Sequence, residues 1–219
     1  MKKYKLPIER DELWKGCMFT SIAHAIMTAH YPDFSHESSW DGMNYNIQNS
    51  EGARGTVTFH PECIVAAFQD MDSEREVEEA ISYFEGAGEK VKEIAEEETL
   101  QYLLEDIDGE MKPFVTAAFW EENGIMYSVD SLDEVEVHSG CLLEAQLMRI
   151  EEAEEFLEEN YEMNESQLKL LRIVYERKIE NPNEQIVLSK DEVEMIGAED
   201  EEALAESKTS FEEMNITWG

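Results

Sequence analysis

The stretch YNIQNSEGARGTVTFHPECIVAAF, residues 45–68, decides the fold. Apolar and polar residues alternate over 45–49 and again over 56–60, the period of a strand with one face buried, and residues 50–55 between them are rich in turn formers. After Pro61-Glu62 comes the continuous apolar run Cys63-Ile-Val-Ala-Ala-Phe68, which reads as a third strand. Connections this short join antiparallel neighbours, because parallel pairing needs a crossover of a dozen or more residues. The stretch is therefore an antiparallel meander.

Upstream, Met18, Ile22, Ala25, Ile26 and Ala29 recur at spacings of three and four and predict a buried helix over residues 13–30, ended by Tyr31-Pro32. Downstream, Ser73 and Glu76 stand at capping-box spacing, and Val77, Ala80, Ile81 and Phe84 form a stripe. These predict a helix over 73–84 that Gly86 and Gly88 stop. A second, acidic helix is expected over 90–104. Extended patterns return over 113–120 and 125–129, and Asn123-Gly124 between them is a hairpin signal. From residue 141 only helical patterns remain. One of them opens at a second capping box, Ser189 with Glu192, and closes at Gly197, and the last runs through Leu204, Phe211 and Met214. The expected fold class is α+β. An antiparallel sheet with flanking helices occupies residues 1–142, and an acidic, all-helical region follows over 143–219.

Charge narrows the range of functions. The 219 residues hold 52 acids and 17 bases, for a net charge of −35. Residues 1–60 carry 7 acids against 6 bases, so nearly all of the excess lies beyond residue 60. A solvent adaptation would coat the whole surface; a regional excess instead points to a regional purpose. Such a field repels nucleic acid and anionic membrane and attracts basic protein surfaces. No stretch approaches the ~20 apolar residues of a membrane span. Lys2, Lys3 and Lys5 are followed by Leu-Pro-Ile-Glu-Arg-Asp-Glu where a signal peptide would be apolar, and the three widely spaced cysteines make no disulfide framework, so a cytoplasmic protein is expected.

Candidate chemistry is sparse. Trp14-Lys-Gly-Cys17 leads into the first helical stripe, and a thiol at a helix N-terminus is stabilised as thiolate. A cysteine-dependent hydrolase would pair Cys17 with His60 or His138, oriented by Asp130 or Asp133; otherwise Cys17 is a small buried packing residue. His60 and Cys63 form an HxxC pair, with His24, His30 and His36 as further imidazoles, but no second pair completes a tetrahedral set. Asp106-Ile-Asp-Gly109 opens like a calcium loop, yet Met111 and Ala117 stand where glycine and glutamate are needed, which leaves a tight acidic turn. Gly86-Ala-Gly88 lacks the third glycine of a dinucleotide fingerprint. No metal and no cofactor is expected.

Two segments suit binding. Trp40, Asn44, Tyr45 and Arg54 lie in a stretch of amides, aromatics and glycines that fits either a hydrogen-bonding contact loop or an ordinary strand and turns. Glu199, Asp200, Glu201, Glu202 and Glu206 form a row of carboxylates able to imitate phosphates. The expectation is a non-enzymatic acidic protein-binding module: an inhibitor, a toxin-immunity-type protein or a DNA mimic. Its partner is a basic protein surface such as a nuclease, a toxin or a DNA-binding protein, with no direct contact to nucleic acid or membrane. The alternatives are the Cys17 hydrolase and a structural or assembly protein whose acidity serves solubility.

Overall fold

The computed structural model describes residues 3–75 and 79–219. The chain forms two compact units, Met1–Leu13 with Asp41–Glu144 and Trp14–Trp40 with Ala145–Gly219. It begins with strand β1 (Tyr4–Lys5) and helix α1 (Arg10–Thr28), whose first turn belongs to the first unit and whose remainder belongs to the second.

Strand β2 (Ser38–Asp41) reaches the first unit only at Asp41, and that unit is built on β3 (Asn44–Gln48), β4 (Arg54–His60) and β5 (Cys63–Gln69), followed by β6 (Leu104–Ile107), β7 (Glu110–Pro113), β8 (Ala117–Glu122) and β9 (Ile125–Ser128). Seven of the strands make one sheet in the order β1-β9-β8-β5-β4-β3-β2. The meander over β3, β4 and β5 pairs antiparallel, as the alternation predicts, and β8 joins β5 antiparallel on its other side. Every residue of β5 is buried, which explains why it reads as an unbroken apolar run. Size alternates across the pairing: Phe68 lies opposite Gly55 on β4 and Ala117 on β8, and Phe119 lies opposite Ala66. A Cβ on Gly55 would sit 2.2 Å from Phe68 Cδ1, so glycine is what admits the ring.

One face of the sheet, with Cys63, Val65, Ala67, Ala118 and Trp120, is covered by the 3-10 turn Ala80–Phe84, helix α2 (Glu89–Glu97) and the 3-10 turn Thr99–Leu103. The hairpin over β8 and β9 turns at Asn123 and Gly124 with φ of 53° and 73°, the left-handed pair that its sequence signals. Asp108 and Gly109 do the same at φ 57° and 84°. The acidic turn there thus joins β6 to β7 in a two-stranded sheet of its own, which the sequence did not reveal. The helix expected to reach residue 104 ends at Glu97.

A second helix differs from expectation. Residues 73–75 are not helical, residues 76–78, with Glu76 and Val77 of the expected cap and stripe, fall outside the described residues, and Ala80–Phe84 forms a 3-10 turn. Ser73 and Arg75 are held by tertiary bonds: Arg75 reaches Thr116 O at 2.8 Å and Asp130 at 2.6 Å, and Ser73 Oγ meets His138 Nδ1 at 3.0 Å. His138 ends helix α3 (Leu132–His138), which opens on a capping box of Ser131 and Glu134.

The second unit contains the rest of α1 and helices α4 (Glu144–Leu147), α5 (Ile150–Tyr161), α6 (Glu165–Glu180), α7 (Lys190–Glu194) and α8 (Glu201–Glu213). The C-terminal helices are present as the periodicity predicts, and the Ser189 capping box opens α7. They are accompanied by strands β10 (Ile186–Leu188) and β11 (Ile216–Trp218), a parallel pair too short to leave a periodic signal. Helix α1 is buried on all sides from Cys17 to Thr28. Its hydroxyls are satisfied within the helix, with Ser21 Oγ donating to Cys17 O at 2.7 Å and Thr28 Oγ1 to His24 O at 2.9 Å. Phe19 meets Tyr175 of α6 edge-on at 5.0 Å, and Ser207 of α8 donates to Ala25 O at 2.6 Å. Lys178 of α6 is buried and donates to the C-cap carbonyl of α8, Met214 O, at 2.8 Å. There the helix dipole favours the cation while burial lowers its pKa.

Candidate functional site

The residues proposed for binding in the segment 40–54 are anchored inside the fold. Trp40 is buried, with Nε1 donating to Ser21 Oγ at 2.8 Å and its backbone N–H donating to Glu213 Oε2 at 3.0 Å. Tyr45 is fully buried. Asn44 is buried at the centre of a polar network: its Oδ1 accepts from Thr58 Oγ1 at 2.7 Å, and its Nδ2 donates to Tyr102 OH at 3.2 Å. Tyr102 in turn donates to Asp41 Oδ2 at 2.7 Å, and Thr58 shares a 2.7 Å bond with Thr99. Burial and the neighbouring Asp41 carboxylate push the Tyr102 pKa up to about 12, which keeps the phenol a donor. Arg54 spans from β4 to the β6–β7 hairpin, with Nε on Gln69 Oε1 at 3.1 Å and Nη2 on Leu104 O at 2.9 Å and Glu105 Oε1 at 2.8 Å. Asn44 and Arg54 tie their strands to the stretch 102–105, while Trp40 is held by Ser21 and Glu213.

The enzymatic candidates are placed as follows. Cys17 lies in the second turn of α1, not at its N-terminus, and is fully buried, so desolvation pushes its thiol pKa well above the ordinary value. A nucleophilic thiolate needs the opposite environment. His60 sits where β4 turns into β5; its Nδ1 accepts from Glu62 N at 3.2 Å, and its carbonyl accepts from Arg10 Nη2 at 2.5 Å. Cys63, directly across the ladder from His60, has its pKa raised to about 11 by burial and by the nearby Glu121. His138 is paired with Ser73, a contact that sequence spacing does not reveal. Ser73 also accepts from Arg75 N at 3.4 Å, and Asp130, one of the two carboxylates expected to orient the imidazole, is occupied by Arg75. This pairing ties the loop at 73–75 to α3. Among the described residues no three His, Cys, Asp or Glu side chains are grouped to hold a metal ion, and no helix is long and apolar enough to cross a membrane.

The carboxylate row is on the surface. Glu199, Asp200, Glu201, Glu202 and Glu206 are all exposed. Asp200 is the N-cap of α8, accepting from Glu202 N at 3.0 Å and Ala203 N at 2.9 Å, and Glu201 and Glu202 sit in the first turn where the dipole favours them. Helix α5 repeats the pattern: Ala153 and Leu157 face inward while Glu151, Glu155, Glu158 and Glu159 are exposed.

The first unit also has an open groove of about 530 Å³ between the Ala80–Phe84 turn, the end of α2 and the β6–β7 hairpin. Ala80, Ile81, Leu100, Ile107 and Pro113 give it an apolar lining, with Glu79 and Glu96 among its polar residues. No sequence motif marks it, because its walls come from three separate stretches. No protein-family model, curated protein or solved structure matches the chain.

Proposed function

We propose that the protein is a non-enzymatic acidic binding module whose partner is a basic protein surface, in the manner of an inhibitor, a toxin-immunity-type protein or a DNA mimic. The observation that carries this reading is the exposure of the glutamate rows on α5 and α8, whose apolar stripes are turned inward. These carboxylates do no packing, and their mutual repulsion is relieved when a cationic surface covers them. Long-range attraction of this kind raises the association rate and weakens with salt, because the Debye length falls from about 10 Å at 0.1 M to about 3 Å at 1 M.

A pull-down from native lysate with washes across a salt series tests it. Basic proteins should be retained at low salt and released as salt rises. The variant E199Q/E201Q/E202Q/E206Q should release them earlier than the wild type. Capture of a non-basic partner that resists high salt would count against the proposal.

A further inference from the structure

The open groove has a lining and a rim of different chemistry. Its floor is aliphatic, with Ala80 and Leu100 buried and Ile81 and Ile107 partly exposed. At its rim Glu79 and Glu96, both exposed, contribute carboxylates. The one lysine in the lining, Lys112, is ion-paired with Glu110. An anionic ligand would therefore meet the carboxylates of Glu79 and Glu96, with the lysine of the lining already paired. The β6–β7 hairpin is a sheet of only two strands, so β7, which lines the groove through Lys112 and Pro113, is an edge strand.

We infer that the groove docks an extended segment of a basic partner in which apolar side chains alternate with lysine or arginine. The inference rests on the acidic binding function proposed above. An extended chain sends successive side chains to opposite faces, so the apolar ones enter the aliphatic lining while the basic ones reach the carboxylates of the rim. A volume of about 530 Å³ is in the range of pockets that bury several aliphatic groups. Charge alone would recruit any polycation; the lining selects those with apolar residues at every second position.

The test uses two fluorescein-labelled peptides on the full chain: an eight-residue alternating Leu-Lys peptide and octalysine. At low salt both should bind, and at 0.3 M salt only the alternating peptide should remain bound. The variant I81Q/I107Q should weaken the alternating peptide at least tenfold and leave octalysine unchanged, whereas K112E, which adds rim charge, should tighten it severalfold. Amide shifts on titrating the wild type with the alternating peptide should centre on residues 79–81, 100–101 and 107–113, so the site is located even if a variant fails to fold. Shifts centred on α5 and α8, or equal affinity for the two peptides in 0.3 M salt, would overturn the groove as the docking site while leaving the acidic binding function standing. Failure of both peptides to bind at low salt would overturn both.

Discussion

Arg75 donates to the Asp130 carboxylate at 2.6 Å with only 19% and 15% of the two side chains exposed, and the same Nη1 reaches Thr116 O at 2.8 Å. Burial opposes the charge on Arg75, and the Asp130 hydrogen bond and field more than offset it, so the guanidinium pKa is raised. Removing one partner leaves the other charge desolvated and unmatched. Asp130→Ala should therefore cost about 3 kcal/mol, whereas the apolar double variant R75M/D130L should recover much of the loss. Urea midpoints of the three proteins check this. A midpoint for Asp130→Ala equal to that of the wild type would show that the pair contributes nothing.

Thiol reactivity should follow exposure. Cys141 is exposed, while Cys17 and Cys63 are buried with raised pKa values. Iodoacetamide at neutral pH should label Cys141 alone in the native protein and all three in denaturant, read by peptide mass spectrometry. Native labelling at Cys17 would restore the case for a catalytic thiol.

Gly16 tests packing against propensity. A Cβ there would lie 1.9 Å from Gln146 O, a backbone atom that cannot rotate away. Alanine favours a helix over glycine by about 1 kcal/mol, so an exposed site would gain from the change. Here overpacking should win, and Gly16→Ala should lower stability by about 1–3 kcal/mol. A rise in melting temperature would show that α4 yields.

His24 gives a pH dependence of known sign. Its Nε2 donates to Ser35 O at 3.3 Å, so Nδ1 accepts from Tyr161 OH at 3.1 Å, and burial lowers its pKa below 6.5. Between that folded value and 6.5 the unfolded chain binds the proton and the native protein does not. Stability is then present above 6.5 and is lost as pH falls, by at most about 1.4 kcal/mol per pH unit for one group. Denaturation at pH 7.5, 6.5 and 5.5 should show a steeper loss in the wild type than in His24→Gln. Identical slopes would refute it.

The legible parts of the fold are those whose signal is local. The alternation at 45–68, the Asn123-Gly124 turn and the Ser189 cap each involve residues within one element, and each is realised. The illegible parts depend on partners far away in the chain. Spacing at 73–76 suggests a cap, but Arg75 is drawn to Thr116 and Asp130, partners more than 40 residues away that no local pattern names. At the site, the row from Glu199 to Glu206 is exposed as its polarity implies. The partners of Arg54, Leu104 O and Glu105, lie 50 and 51 residues away in sequence, so no local spacing names them.

The division of α1 between the two units has a kinetic consequence. Residues Trp14–Trp40 share a unit with Ala145–Gly219, and Asp41–Glu144 lies between them in the chain. Closing an unfolded loop of about 100 residues costs about 4 kcal/mol of chain entropy. A first unit that is already folded leaves no flexible loop of that length to close. The expected order is that the sheet assembles early from its hairpins and the helices around α1 close late. Slowing the meander, for example at Gly55, should delay burial of Phe19 against Tyr175 even though neither residue belongs to the sheet.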